Sequence, residues 1–163
     1  MSLATAAPSP TEVALRACRP GEIAIGGVDL NGYLGTAGFV IYDIGAQNCN
    51  VQGRATVKIL DASGSPLSIQ TQPWETEYDA PAGLLLLAGN PTPAPAEGLF
   101  PGSVGVQLGW LNWCGATWTS GTLVVDLPDL GELSAPITGS TAPACTDPNS
   151  PSTMLVGPIT SPR

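Results

Sequence analysis

Four cysteines stand in two pairs of equal separation, and this spacing constrains the fold of the 163-residue chain more than any other feature. Cys18 and Cys49 are 31 positions apart, and so are Cys114 and Cys145. The middle of each interval is rich in turn-forming residues. Because antiparallel strands around a turn keep a constant sum of residue numbers, each pair could meet across the base of its own hairpin. The spacing therefore predicts the disulfides Cys18–Cys49 and Cys114–Cys145.

Cysteine chemistry also bears on the compartment. Four cysteines allow three pairings, and they could instead stay as buried thiols in a cytosolic protein. A zinc site is not favoured, because the chain has no C-x-x-C pair and no histidine. Disulfides persist outside the reducing cytoplasm, so we expect an exported protein, extracellular or at the cell surface. Lipid anchoring through a removed N-terminal segment would fit the same expectation.

Composition predicts one all-β domain. The chain has 43% apolar residues but only 11% charged ones, against roughly 25% in an ordinary domain. Its 20 glycines and 17 prolines disfavour long helices and favour short strands joined by turns. We expect an Ala/Pro-rich stalk or linker over residues 1–16, in which Met1-Ser2-Leu3 has the form of a cloning scar, and a single domain over residues 17–163.

Short apolar runs predict eight or nine strands. The clearest alternation covers residues 104–110, and the turn at 61–64 predicts a hairpin into a strand over 67–71. The other expected strands cover 22–30, 39–44, 55–60, 83–88, 123–127, 133–137 and 154–159. Such a series is typical of an immunoglobulin-like antiparallel β-sandwich with two disulfides. The proline-rich residues 89–98 are expected to cover one sheet edge.

Charge and histidine content exclude several function classes. The net charge is −8, with Lys58 as the single lysine, so a phosphate-binding or anionic-membrane surface is a poor candidate. Without histidine there is no Ser-His-Asp or Cys-His arrangement, and paired cysteines leave no thiol nucleophile. We therefore expect a protein that is not an enzyme and that needs neither a cofactor nor a metal.

One acidic cluster is a candidate site. In an extended segment Glu75, Glu77 and Asp79 share one face. Three carboxylates in a row could bind Ca²⁺ or serve a carboxylate-based hydrolase. No calcium-binding loop accompanies them, and acidic side chains are mostly exposed, so a solvated strand face with no metal is the preferred interpretation.

An aromatic cluster is the second candidate. It comprises Trp110, Trp113 and Trp118 with Asn112 nearby. Exposed tryptophans that stack on sugars would make a carbohydrate-binding module. The alternative is that Trp110 continues the apolar alternation into the core and that Trp113 packs against the neighbouring disulfide. That alternative is favoured, because tryptophan is highly buried on average.

Several short motifs follow one another in a specific order. They are Cys18, the small-residue step at 35–38, Cys49 with Gly53, the turn at 61–64, Pro101-Gly102, Cys114 and Cys145. In this order they resemble a large group of bacterial secreted and lipid-anchored domains of unknown function, mostly from high-GC genomes. The chain departs from that group on both sides of its second cysteine. The resemblance implies a β-sandwich and export, and it implies no catalytic residues and no substrate.

These observations predict an extracytoplasmic binding or scaffold domain that presents an uncharged sheet surface. With few charges, the outer strand faces must carry Thr, Ser and Gln; these are Ser68, Gln70, Thr71, Gln107, Thr122 and Ser134. We expect a protein or cell-envelope component as partner, or a second copy bound through a sheet face or edge, and no nucleic acid or inserted membrane segment. The alternatives are the carbohydrate-binding module and a carboxylate-based hydrolase over residues 75–79.

Overall fold

The computed structural model describes residues 16–30, 36–74, 84–86, 102–115, 120–138 and 144–160. Within these ranges the chain forms ten strands and no helix, and hence no helix that is long and apolar enough to cross a membrane. The strands are β1 (Ile23–Asp29), β2 (Thr36–Asp43), β3 (Cys49–Val51), β4 (Thr56–Leu60), β5 (Gln70–Pro73), β6 (Leu84–Leu86), β7 (Val104–Asn112), β8 (Thr122–Leu127), β9 (Gly131–Pro136) and β10 (Thr153–Thr160).

The strands form a five-stranded sheet in the order β1-β2-β7-β10-β5, a three-stranded sheet β4-β8-β9 and the pair β3-β6. Every pairing is antiparallel except that of β5 with β10, which is parallel. Buried residues of all three sheets belong to one hydrophobic core. The predicted all-β sandwich with two disulfides is confirmed, and its immunoglobulin-like form stays a prediction.

Alternation of side chains explains how the two larger sheets share that core. Val106 and Leu108 of β7 are at most 2% exposed, and so are Leu123 and Val125 of β8. Since successive residues of a strand point to opposite faces, these alternate positions line one face of each sheet. The alternation predicted over 104–110 is therefore confirmed, and it leaves the intervening residues of β7 on the opposite, outer face.

One predicted strand is displaced. The turn at 61–64 is present, with the N–H of Gly64 bonded to the carbonyl of Asp61 at 3.0 Å. The second arm of the hairpin begins as predicted, with the N–H of Leu67 bonded to the carbonyl of Ile59 at 2.8 Å, but it goes no further. The N–H of Ile69 bonds to the carbonyl of Leu67 at 2.9 Å and bends the chain away. The N–H of Gln70 then bonds to the carbonyl of Ser152 at 2.8 Å, which starts β5 on the other sheet.

Both predicted disulfides are confirmed, Cys18–Cys49 and Cys114–Cys145. Each encloses an antiparallel hairpin, β1–β2 between Cys18 and Cys49 and β8–β9 between Cys114 and Cys145, but neither disulfide lies within the ladder of its hairpin. The segment of Cys18 runs parallel to β3, and its N–H bonds to the carbonyl of Asn50 at 2.9 Å. Cys114 follows β7, while Cys145 lies in the segment that leads into β10. The second disulfide therefore joins the end of β7 to the segment that precedes β10.

Several predictions lie outside the described residues. They are the stalk, of which only Arg16 is described, the proline-rich residues 89–98 and the acidic residues Glu75, Glu77 and Asp79. β3, which has only three residues, was not predicted.

Candidate binding surface

The outer face of the five-stranded sheet can be followed across its strands from their register. Gln72 of β5 pairs with Leu155 of β10, Leu155 pairs with Gly109 of β7, and Gly109 pairs with Thr36 of β2. Met154 and Val156, which flank Leu155, belong to the core. Since paired residues lie on the same side of a sheet, Gln72, Leu155 and Gly109 face away from the core.

Trp74, which directly follows β5, lies on this outer face over Gly109. A Cβ atom at Gly109 would be 2.9 Å from Cζ3 of Trp74 and 3.3 Å from Cε3 and Cη2. The six-membered ring therefore rests against the β7 backbone at a place where any other residue would push it away. The backbone N–H of Trp74 bonds to the carbonyl of Val156 at 2.8 Å, which holds the residue beside β10. Trp74 is half-buried, so part of the residue remains accessible on this face.

Amide and aliphatic side chains surround the indole. Gln72 and Gln107 are exposed, Leu155 is half-buried, and Leu111 is 57% exposed. We call Gln72, Trp74, Gln107, Leu111 and Leu155 the open sheet face. None of these five residues carries a charge.

The other half of the same face is closed. Val40 and Tyr42 are 5% and 6% exposed although they lie outside the core cluster and alternate with its member Ile41. Asp29, exposed on β1, pairs with Gly38, and Gly38 pairs with Gln107. Asp29 is thus in the same row as Gln107, but on β1, the edge strand at the opposite side of the sheet from β5. The accessible, uncharged part of the face is confined to the β5, β10 and β7 side.

An exposed loop lies at the end of β7 beside Leu111. Residues 144–151, here called the Cys145 loop, are all exposed. Asn112 is only 7% exposed and bonds the backbone of this loop. Its Nδ2 donates to the carbonyl oxygens of Asp147 at 3.0 Å and Ser150 at 3.1 Å, and its Oδ1 accepts the N–H of Thr146 at 3.0 Å. One buried amide therefore fixes the path of an exposed segment.

Further bonds make the Cys145 loop rigid. The hydroxyl of Ser150 and the N–H of Asn149 both donate to the carboxylate of Asp147. The Ser150 hydrogen bond, followed by the Asn149 N–H, holds the pKa of Asp147 below its usual value. The disulfide ties the loop to Cys114, whose N–H bonds to Oγ of Ser152 at 2.9 Å. A loop ordered before binding loses little conformational entropy when a partner binds.

The aromatic candidates of the sequence lie in different surroundings. Trp113 is 4% exposed and belongs to the core, while Trp110 is half-buried and packs against the core. Their rings meet edge to face with centroids 5.2 Å apart. Asn112 hydrogen-bonds to the backbone of the Cys145 loop, and Trp118 lies outside the described residues. The structure brings Trp110, Asn112 and Trp113 together, but the ring of Trp113 is not available for stacking on a ligand.

Among the described residues, no group of three or more His, Cys, Asp or Glu side chains could hold a metal ion. Charged residues instead brace the first disulfide. Arg16 and Glu22 form an ion pair at 2.7 Å, and Arg16 also donates to the carbonyl of Gln47 at 2.9 Å. The Arg16 hydrogen bond lowers the pKa of the Glu22 carboxyl. The buried carboxylate of Asp43 accepts the N–H of Gly45 at 2.6 Å. This cluster joins chain segments around the first disulfide.

A shallow depression lies on the outer face of the three-stranded sheet. Its volume is about 180 Å³, below the roughly 300 Å³ of the smallest typical ligand pockets. Its lining residues are Thr56, Val57, Lys58, Val124, Asp126 and Glu132. Lys58 is half exposed and pairs with Glu132, so these charges neutralise each other in solvent.

The predicted polar strand positions mostly face solvent. Ser68, Gln70, Thr71, Gln107 and Ser134 are exposed, and Thr122 is half-buried. Trp74, which directly precedes the acidic residues, is a candidate that the sequence analysis does not identify. The signal that could have revealed it is the glycine at an outward position of β7, since Gly109 leaves room for a large ring from a neighbouring strand.

Comparison with protein-family models, with curated proteins and with solved structures found no match to the chain. Its function must therefore be inferred from its own residues.

Proposed function

We propose that this protein is an exported binding domain that recognises a cell-envelope component with the open sheet face and the Cys145 loop. The observation that carries the proposal is the open sheet face itself, where an indole, two amides and two leucines form one uncharged, accessible surface. Side chains on packed strands are held more precisely than side chains on mobile loops, so this surface is ready to bind without rearrangement.

Two features favour binding over catalysis. All four cysteines are paired and the chain has no histidine, so neither a thiolate nor an imidazole is available to act as nucleophile or base. The open sheet face also offers no carboxylate pair. A hydrolase over residues 75–79 stays an alternative, and it requires two facing carboxylates there.

Export is supported by the two disulfides, which are consistent with an extracellular location. We further propose that an Ala/Pro-rich stalk carries the domain, that a lipid anchors it, and that it belongs to the group of bacterial secreted domains whose motif order it resembles. An immunoglobulin-like arrangement of the strands is part of the same proposal.

A second copy is the less favoured partner. β5 is the last strand of its sheet, and all four of its residues are exposed, so its edge could pair with another strand. Pro73 has no N–H to donate, which shortens any ladder at this edge. A partner that covers the sheet face avoids this restriction.

The test is binding of the labelled protein to cell envelopes isolated from the organism that makes it. Gln107→Lys places a charge on the β7 side of the open sheet face, and Ser134→Lys places the same charge on the exposed β9 of the other sheet as matched control. We expect Gln107→Lys to lose at least tenfold in affinity and Ser134→Lys to bind like the parent protein. Equal loss in both variants, or no binding by the parent protein, would overturn the proposal.

A further inference from the structure

We infer that the open sheet face binds a neutral saccharide, with the ring of Trp74 as the stacking platform and the amides of Gln72 and Gln107 as its hydrogen-bonding groups. This inference rests on the proposed function and names the chemistry of the partner. It moves the sugar-binding role from the tryptophans near Cys114 to Trp74, which directly follows β5.

The chemistry of the surface fits a sugar ring. A pyranose has an apolar face of C–H groups and a rim of hydroxyls, each of which donates and accepts hydrogen bonds. An indole offers a flat apolar face with a partial negative charge, which attracts C–H groups. Each glutamine amide supplies two donors and an acceptor, so it can either donate a hydrogen bond to a hydroxyl or accept one from it. Trp74 therefore complements the apolar face of a sugar ring, and Gln72 and Gln107 complement its hydroxyls.

The spacing fits as well. Gln72 and Trp74 are two residues apart on one extended segment, which separates their Cα atoms by roughly 7 Å. Gln107 is on β7, two strands away from β5, and thus roughly 10 Å across the sheet. These separations are comparable with the dimensions of a mono- or disaccharide, so a single ligand could contact all three side chains.

The platform is fixed before any ligand arrives. The contact with Gly109 sets the distance of the Trp74 ring from the sheet, and the bond from its N–H to Val156 fixes its backbone. Gly157 lies between Trp74 and Gln107, where a Cβ would be 2.9 Å from the carbonyl oxygen of Gln107. Gly157 is itself buried, so the two strands pack closely here and the sheet floor between the indole and the amide is formed by backbone.

Charge selects among possible ligands. The five residues of the open sheet face are uncharged, and the chain carries a net charge of −8. An anionic polysaccharide or a nucleic acid would lack cationic partners on this face and would be repelled by the protein as a whole. A neutral saccharide loses no charge solvation on binding and meets no repulsion.

The direct test is titration of the ¹⁵N-labelled protein with neutral oligosaccharides built from glucose, mannose, galactose or xylose. The readouts are the indole N–H signal of Trp74 in NMR spectra and the dissociation constant from calorimetry. We expect at least one oligosaccharide to shift the Trp74 signal. Trp74→Ala should weaken that binding at least tenfold, while Trp74→Tyr, which keeps an aromatic face, should recover most of it.

Gln107→Ala keeps the platform and removes one amide, so it serves as the second variant if Trp74→Ala fails to fold. It should weaken binding three- to tenfold. Gln52→Ala, which removes an exposed glutamine elsewhere, is its matched control and should bind like the parent protein. Failure of all neutral oligosaccharides to bind, or binding that neither Trp74→Ala nor Gln107→Ala weakens, would overturn the inference.

The failure of this inference can be told apart from failure of the proposed function. If no oligosaccharide binds, but Gln107→Lys still abolishes envelope binding and protease treatment of the envelopes does the same, the partner is a protein. The saccharide inference then falls while the proposed function stands. If Gln107→Lys and Ser134→Lys bind envelopes equally well, both fall.

Discussion

The side-chain amide of Asn112 bonds the backbone of Asp147 on both sides: its Nδ2 donates to the carbonyl oxygen at 3.0 Å, and its Oδ1 accepts the N–H at 3.2 Å. The nitrogen and the oxygen of one buried amide thus both bond to the same residue of an exposed loop. No other side-chain type of similar size offers a donor and an acceptor in this arrangement.

Asn112→Ala should therefore lower the free energy of unfolding by about 2–4 kcal/mol, because several part-buried backbone groups lose their partner. Denaturant unfolding of the oxidised protein measures this. Asn149→Ala, which removes an exposed amide of the same loop but keeps its backbone bond to Asp147, should change stability by less than about 0.5 kcal/mol. Similar effects of the two variants would contradict the role assigned to Asn112.

The two disulfides should differ in their susceptibility to reduction. Cys18 and Cys49 are 7% and 0% exposed, whereas Cys145 is exposed. Attack on a disulfide sulfur requires access, so Cys114–Cys145 should open first under mild reductant in the folded protein. Timed alkylation with mass spectrometry resolves the order. In strong denaturant both should open at similar rates, and earlier opening of Cys18–Cys49 in the folded state would refute the prediction.

Ser150→Ala should raise the pKa of Asp147 toward its ordinary value, since the Ser150 hydroxyl is the main cause of its lowering. A carboxyl with a lowered pKa in the folded state contributes stability above its ordinary pKa of roughly 3.9 and loses it as pH falls through the folded-state pKa. The stability difference between parent and variant should thus be present at neutral pH and vanish in acid.

NMR titration of the Asp147 carboxyl carbon measures this pKa directly. Asp61, whose pKa is lowered chiefly by Ser63, is an internal control that Ser150→Ala should leave unchanged. An unaltered Asp147 titration in the variant would show that its pKa has another cause.

Gly109→Ala should destabilise the protein by about 1–3 kcal/mol, because the new methyl group would lie 2.9 Å from the Trp74 ring. In a Trp74→Ala background the same change should cost little, so thermal or chemical unfolding of the four proteins should give a clear coupling energy. Gly115→Ala is the matched control, since its Cβ would meet only Oγ of Ser152 at 3.8 Å. Additive effects would mean that the ring does not rest on Gly109.

The parts of the fold that sequence predicts well are those with one buried and one exposed side. β7 and β8 alternate because one face of each packs in the core, and that burial is visible as apolar periodicity. β5 lacks this signal, since all four of its residues are exposed. The apolar alternation just before it, Leu67 and Ile69, packs against the core without forming a strand. Periodicity therefore located the buried residues and misplaced the strand.

The open sheet face was predictable in its polarity but not in its position. A chain with so few charges must cover its sheets with amides and hydroxyls, and Gln107 was expected on such a face. The contact of Trp74 with Gly109 joins residues 35 positions apart on strands that are not neighbours in the sheet. The glycine at 109 indicates only that a large ring could fit there. The sequence does not show which residue supplies the ring, because the contact arises only after β5 pairs with β10.

The parallel pairing of β5 with β10 has a consequence for the order in which the molecule can assemble. β10 lies between β5 and β7, so residues 70–73 have no strand to join until residues 153–160 have been synthesised. The position of Trp74 is therefore fixed late in folding, when β10 inserts between β7 and β5. A partly synthesised chain that lacks residues 153–160 therefore cannot hold Trp74 over β7.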